Sequence, residues 1–186
     1  MSDGDVMPTV DIELEVEVKK TARLAQISAI TDYELPELST FQLSADLPID
    51  DMQWNVGAIV GASGTGKTTL SSELFGDHVF SGNEWDNSVS LVDNFPKGMS
   101  IRDVTHMLSS VGFNTVPNWM RPYRVLSNGE MFRADLALAI ATASADAPLV
   151  YDEFSSVVDR QVAKIASHSV QKSVRSLGLQ FVAVSL

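Results

Sequence analysis

Residues 54–76 read WNVGAIVGASGTGKTTLSSELFG. The stretch from Trp54 to Val60 is short and apolar, as a buried parallel strand is. Gly61–Thr69, GASGTGKTT, follows at once and satisfies G-x-x-x-x-G-K-[ST]; the residues after it form helix closed at Gly76. A strand, a glycine-rich turn and a helix start are the setting this pattern needs to bind phosphate. Gly61, Gly64 and Gly66 let the backbone curl so that its N–H groups converge, and Ala62, Ser63, Thr65 and Thr69 add amides to the same nest. Lys67 can bridge the β- and γ-phosphates of a nucleotide, and the Thr68 hydroxyl can ligate Mg²⁺. The stretch therefore predicts an α/β fold with a nucleoside-triphosphate site. Kinases, GTPases and ATPases share the pattern, so it leaves the class open.

Downstream, APLVYDEFSSVVD at 147–159 is an apolar strand that delivers Asp152 and Glu153 at its C-terminal end, where open α/β sheets bind ligands. Asp152 is the candidate for holding Mg²⁺ through water, and Glu153 for polarising an attacking water. Asp159, seven residues after Asp152, can cap the helix that follows. Between the phosphate loop and this strand, NSVSLVDNF at 87–95 reads as a strand and SIRDVTHMLSSVG at 100–112 as an amphipathic helix capped by Ser100. VLSNGEMFRADLALAI at 125–140 is a polar turn running into helix formers, with Ser127 and Glu130 spaced as a capping box. Residues 159–178 read as a helix and LQFVAVSL at 179–186 as a final strand. Strands alternating with helices indicate a mainly parallel sheet with crossover helices. Before Trp54, DIELEVEV at 11–18 alternates apolar and acidic residues as a half-buried strand does, and TFQLSADLPI is a second strand of an antiparallel sheet.

Composition agrees with a folded α/β protein. The 186 residues are 45% hydrophobic and 20% charged. A net charge of −11 disfavours a broad nucleic-acid-binding face, so nucleic acid is possible but not indicated. The absence of cysteine excludes disulfides and thiolate metal sites. The polar, acidic start MSDGDVMP lacks the regions of a signal peptide, and no apolar run approaches the ~20 residues of a membrane span, so a cytoplasmic location is expected.

Taken together, these segments resemble an ABC-type (ATP-binding cassette) ATPase. That family carries a signature of the form LSGGQ ahead of its Asp-Glu pair; here LSNGE spans Leu126–Glu130, with Ser127 25 residues before Asp152. SSVVD at 155–159 is similar to the family's D-loop, and Arg133 stands where the family often has a basic residue. More narrowly, DEFSSVVDRQVAKI and LSNGEMFRADLA resemble a small non-transporter group found in bacteria and their viruses. The resemblance implies a P-loop three-layer α/β/α fold in one domain, 1–186. Its parts would be an N-terminal β subdomain (1–53), a phosphate-loop half (54–98), a reduced helical insert (99–127) and a signature, Walker B and D-loop segment (128–186), with the domain's end missing.

It also implies ATP and Mg²⁺ as ligands, hydrolysis of ATP, and a head-to-tail homodimer, or a dimer with a related ATPase. Each site would join one phosphate loop to the partner's Ser127 and Gly129, with Asp159 nearby. Tyr33 is the preferred residue to stack on adenine, ahead of Phe41. Asp93 or Asn94 stands where the Q-loop glutamine is expected, which makes Asp93 a candidate metal ligand. Asn128 and Glu130 replace the signature's glycine and glutamine. Only 60 residues separate Lys67 from Ser127, fewer than transporter ATPases carry. The family's switch histidine would follow the last strand, and His78, His106 and His168 lie elsewhere. Alternatives are a nucleotide-gated dimerisation module with little turnover, a transporter ATPase subunit, and a P-loop kinase.

Overall fold

The structure, a computed structural model, describes residues 9–47, 49, 53–154, 156 and 158–185. Contacts divide the chain into two compact units, Met1–Met52 and Gln53–Leu186.

In the first unit, β1 (Thr9–Glu17) pairs antiparallel with β2 (Leu38–Asp46), from Thr9 opposite Asp46 to Glu17 opposite Leu38. The acidic face of β1 is solvated, and Gln42 Nε2 donates to Glu13 Oε1 across the pair at 2.6 Å. Between the strands lies a helix the sequence pattern did not reveal, α1 (Ala22–Thr31). It buries none of its residues, so it has no apolar stripe to read. Its Thr21 cap accepts from the Leu24 N–H, and Asp32 ends it in a left-handed conformation, φ 51°.

The second unit runs β3 (Val56–Val60), α2 (Lys67–Phe75), β4 (Val79–Phe80), α3 (Ile101–Ser110), α4 (Val116–Trp119), α5 (Asn128–Thr142), β5 (Leu149–Tyr151), α6 (Arg160–Leu177) and β6 (Phe181–Ser185). The four strands form a parallel sheet in the order β3-β6-β5-β4. Because successive side chains of a strand point to opposite faces, β6 feeds two cores. Val182 and Val184 pack with Val150, Ile59 and the Phe75 of α2. Phe181 and Ala183 join the larger cluster supplied by α3, α5 and α6. Helices thus cover both faces, giving three layers. α5 buries Phe132, Ala134 and every residue from Leu136 to Ile140, so it is the interior helix of the thicker layer.

One expected strand is absent. NSVSLVDNF forms a turn and a 3₁₀ helix, Leu91–Asn94, instead. The Asn94 side chain accepts from the Asp86 N–H (2.7 Å) and donates to the Ser90 carbonyl (2.9 Å), while Asp86 accepts from the Ser88 amide (2.8 Å). Such local side-chain bonds compete with a ladder. Leu91, fully buried, is anchored by its N–H to the Arg121 carbonyl. The short β4 takes the edge of the sheet, pairing Val79 with Val150 and Phe80 with Tyr151.

Candidate nucleotide site

The phosphate loop leaves β3 at Val60 and enters α2 at Lys67. Gly64 (φ 78°) and Gly66 (φ 84°) adopt conformations that side chains resist. Gly66 occupies the N-cap with no side-chain cap, so the first amides of α2 are left for an external acceptor. At Gly61 a Cβ would lie 2.9 Å from Thr65 Oγ1, whose hydroxyl is held by the Ala62 carbonyl at 2.9 Å. Lys67 Nζ donates to the carbonyls of Gly61 and Ala62, 2.8 Å each, and spans the loop mouth with its charge. The nest is preformed, and Ala62, Ser63, Gly64 and Thr65 are exposed along it, as is Thr68 just inside α2; Thr69 is half-buried.

The acid pair sits at the same C-terminal end of the parallel strands. Val60 is level with Ser185, and Tyr151 with Ala183, so the residues after Tyr151 emerge beside the end of β6. Two strand spacings, about 10 Å, separate β3 from β5, with Ser185 between them. Asp152 is half-buried, and its Oδ1 accepts the Glu153 N–H at 2.8 Å. Glu153 is exposed and left-handed, φ 50°. This outlier has a cause: Phe154 must return at once to the core. Its N–H bonds the Val184 carbonyl at 2.8 Å, and its ring packs edge-on to Phe132 and Phe181, 5.6 Å from each. The buried aromatic on one side and the Asp152 carboxylate on the other hold Glu153 out at that end. Such strain costs of order 1–3 kcal/mol and concentrates at functional positions.

The signature turn is built differently. Ser127 caps α5, and the Glu130 carboxylate reaches back to close a capping box. Its Oε2 accepts from the Ser127 N–H (3.0 Å) and hydroxyl (2.8 Å), and its Oε1 from Asn118 Nδ2 (2.6 Å). Desolvation works to raise the Glu130 pKa. The bonds from Ser127 and Asn118 and the charge of Arg133 outweigh it and hold the carboxyl below its ordinary range. Gly129 is open: the nearest atom to an added Cβ would be a guanidinium nitrogen of Arg133 at 3.9 Å.

Between this turn and the acid pair runs a groove of about 470 Å³, lined by Asn128, Asp135, Tyr123, Phe80, Asp152 and Glu153 among others. Asp135 is a hub the sequence reading missed. Its carboxylate accepts from Trp85 Nε1 (2.7 Å), Tyr123 OH (2.6 Å) and Asn83 Nδ2 (3.2 Å), and Trp85 stacks on Tyr123 at 4.7 Å. Burial and the Asp135 charge raise the Tyr123 pKa, and the same two causes raise that of Tyr151. No spacing rule could have found this hub, because its four residues come from three separated segments.

Among the remaining candidates, Asp159 caps α6, accepting from the Gln161 and Val162 N–H groups at 2.8 and 3.1 Å. Asp93 lies in the 3₁₀ helix, exposed, and accepts from the Ser90 hydroxyl. Tyr33 follows α1 in the N-terminal unit and is 65% exposed. Among the described residues no hydrogen bond joins Ser127 or Gly129 to the phosphate loop of the same chain. Among the described residues no three His, Cys, Asp or Glu side chains converge as a metal cage. Thr68 and Asp152 are hard oxygen donors, which suits Mg²⁺ held largely by phosphates and water.

No protein-family model matches the chain, and no curated protein does. Solved structures do. A structure described as a metal-chelate type ABC transporter in an inward-facing conformation matches with TM-score 0.52 and 20% identity over 78% of this chain and 66% of that one. An ABC transporter ATP-binding protein from Pyrococcus furiosus matches with TM-score 0.57 and 17% identity over 71% and 78%. A dimeric ATP-binding cassette in a post-hydrolysis state, bound to ADP and Pi, matches with TM-score 0.52 and 13% identity over 70% and 74%. The chain spans 66% of the transporter's length. It has the ATP-binding cassette fold, and no helix among its described residues is long and apolar enough to cross a membrane.

Proposed function

We propose that this chain is an ABC-type ATPase domain that binds Mg-ATP and hydrolyses it between two head-to-tail subunits. The observation that carries the proposal is the shared C-terminal end of the sheet. An uncapped, lysine-spanned phosphate loop leaves β3, and a strained Glu153 beside Asp152 leaves β5, level with it.

The chain's own groups divide the work. Amides from Gly61 to Thr69 would bind phosphate oxygens, and Lys67 would exchange its two loop carbonyls for the β- and γ-phosphates. Thr68 and Asp152, with Asp93 as a further candidate, would hold Mg²⁺, which when bound neutralises phosphate charge. Glu153 would orient a water in line with the γ-phosphorus and take its proton, while the bond to the β-phosphate oxygen breaks and ADP leaves. Ser127 and Gly129 of the second subunit would close over the γ-phosphate, and Asp159 would lie at the same junction. Tyr33 is the candidate for adenine stacking. α3 and α4 would form the reduced helical insert, and the domain would work in the cytoplasm.

Glu153→Gln keeps the shape of the side chain and removes the base. Phosphate release should fall about 10²–10⁴-fold with ATP binding intact in an equilibrium titration. Equal release by wild type and variant would replace hydrolysis with nucleotide-gated dimerisation.

A further inference from the structure

On the second unit's thicker face, away from the phosphate loop, α3 and α6 enclose a groove of about 470 Å³. His106 and Ser109 face it from α3, and His168, Ser169, Lys172 and Ser173 from α6. The spacings are those of single helix faces. Among the described residues none of these six side chains has a hydrogen bond or ion pair within the chain. Ser110, also in the lining, differs: it donates to the Met107 carbonyl at 2.7 Å. No carboxylate lines the groove, although the chain carries 24 acidic residues against 13 basic ones. The apolar sides of both helices, Val104, Met107 and Leu108 with Ala166, Val170 and Val174, are buried in the core. One end is set by Gly112 (φ 80°), where an added Cβ would come within 3.0 Å of Ile165 Cγ2, so the helices approach closely there.

We infer that this groove binds a phosphate-sized oxyanion, free or as the phosphate of a small molecule. One ammonium, two imidazoles and several hydroxyls, none engaged within the chain among the described residues, are donors converging on one groove. A cation would find no carboxylate there, and a metal would find no third histidine, cysteine or acid among the described residues. A chain of net charge −11 repels anions overall, so a local cluster of donors free of carboxylates is what retention of an oxyanion requires.

The chain's three histidines make the test direct, because His78 lies outside this groove and serves as an internal control. The protein carries Lys67→Ala, so that the phosphate loop does not compete. Imidazole resonances are followed by NMR while inorganic phosphate, and separately phosphoserine, is added at constant ionic strength and pH. Saturable shifts of His106 and His168, with His78 unmoved, are expected. Saturation by phosphate identifies a free ion, and saturation by phosphoserine alone a phosphorylated small molecule. Lys172→Glu should weaken the response roughly tenfold or more, with the rest of the spectrum unchanged. Shifts that rise linearly, that include His78 equally, or that survive Lys172→Glu would overturn the proposal. This inference is independent of ATP hydrolysis, since it is read in a protein whose phosphate loop has been disabled.

Discussion

The phosphate loop and the signature turn both open helices, yet they treat their free amides in opposite ways. At Gly66 the start of α2 has no side-chain cap, and the nearest charge is a lysine lying on loop carbonyls. At Ser127 the start of α5 already holds an anion of its own, the Glu130 carboxylate, braced by Asn118. One nest is left open within a single chain. The other has its N-cap N–H and hydroxyl already taken by its own carboxylate. An open nest can bind alone, whereas a self-capped one is suited to act only when a second surface presses a ligand against it.

This contrast can be broken most forcefully at the open nest. Lys67→Ala removes charge-assisted contacts worth about 1.5–3 kcal/mol, so nucleotide affinity should fall roughly 10–100-fold in a fluorescence titration, with Tm preserved. Ser127→Arg should leave that affinity alone and abolish ATP-driven dimerisation in light scattering. Unchanged dimerisation would remove the signature turn from the site.

A paired glycine test sharpens the difference. Gly61→Ala forces a Cβ against Thr65 Oγ1 at 2.9 Å and should cost nucleotide affinity in the monomer. Gly129→Ala meets nothing nearer than 3.9 Å and gains helix propensity, so monomer Tm and ATP binding should hold. Any loss it causes in ATP-driven association must come from what docks on that surface.

The smallest expected effect concerns Glu130. Its folded pKa lies below the ordinary 4.5, so its stabilisation is present above that value and is lost as pH falls through the folded value. Glu130→Gln should therefore lower Tm by a few degrees at neutral pH, the result of about 1 kcal/mol of capping. The gap from wild type should narrow below about pH 4.5, as followed by thermal melts.

Several elements were legible from residue order because their causes are local. GASGTGKTT folds into a nest through glycine conformations and the start of one helix, all within nine residues. The alternation of DIELEVEV marked β1, and Ser100 with Asp103 marked the start of α3. Elsewhere the reading failed. NSVSLVDNF has the composition of a strand, but Asn94 and Asp86 divert its backbone, and Arg121 takes the Leu91 N–H from 30 residues away. α1 went unseen because it buries nothing and so leaves no periodic trace.

By itself, then, the sequence determined the parallel α/β class and the glycine nest, since each depends on neighbouring residues and on backbone stereochemistry. Only the tertiary structure decided that β6 separates the nest from the acids while keeping them level. It alone turned Glu153 outward, because the buried Phe154 ring and its bond to Val184 exist only once β6 is in place. Strand order and the strain it imposes come from packing between segments far apart in the chain, and no local pattern encodes them.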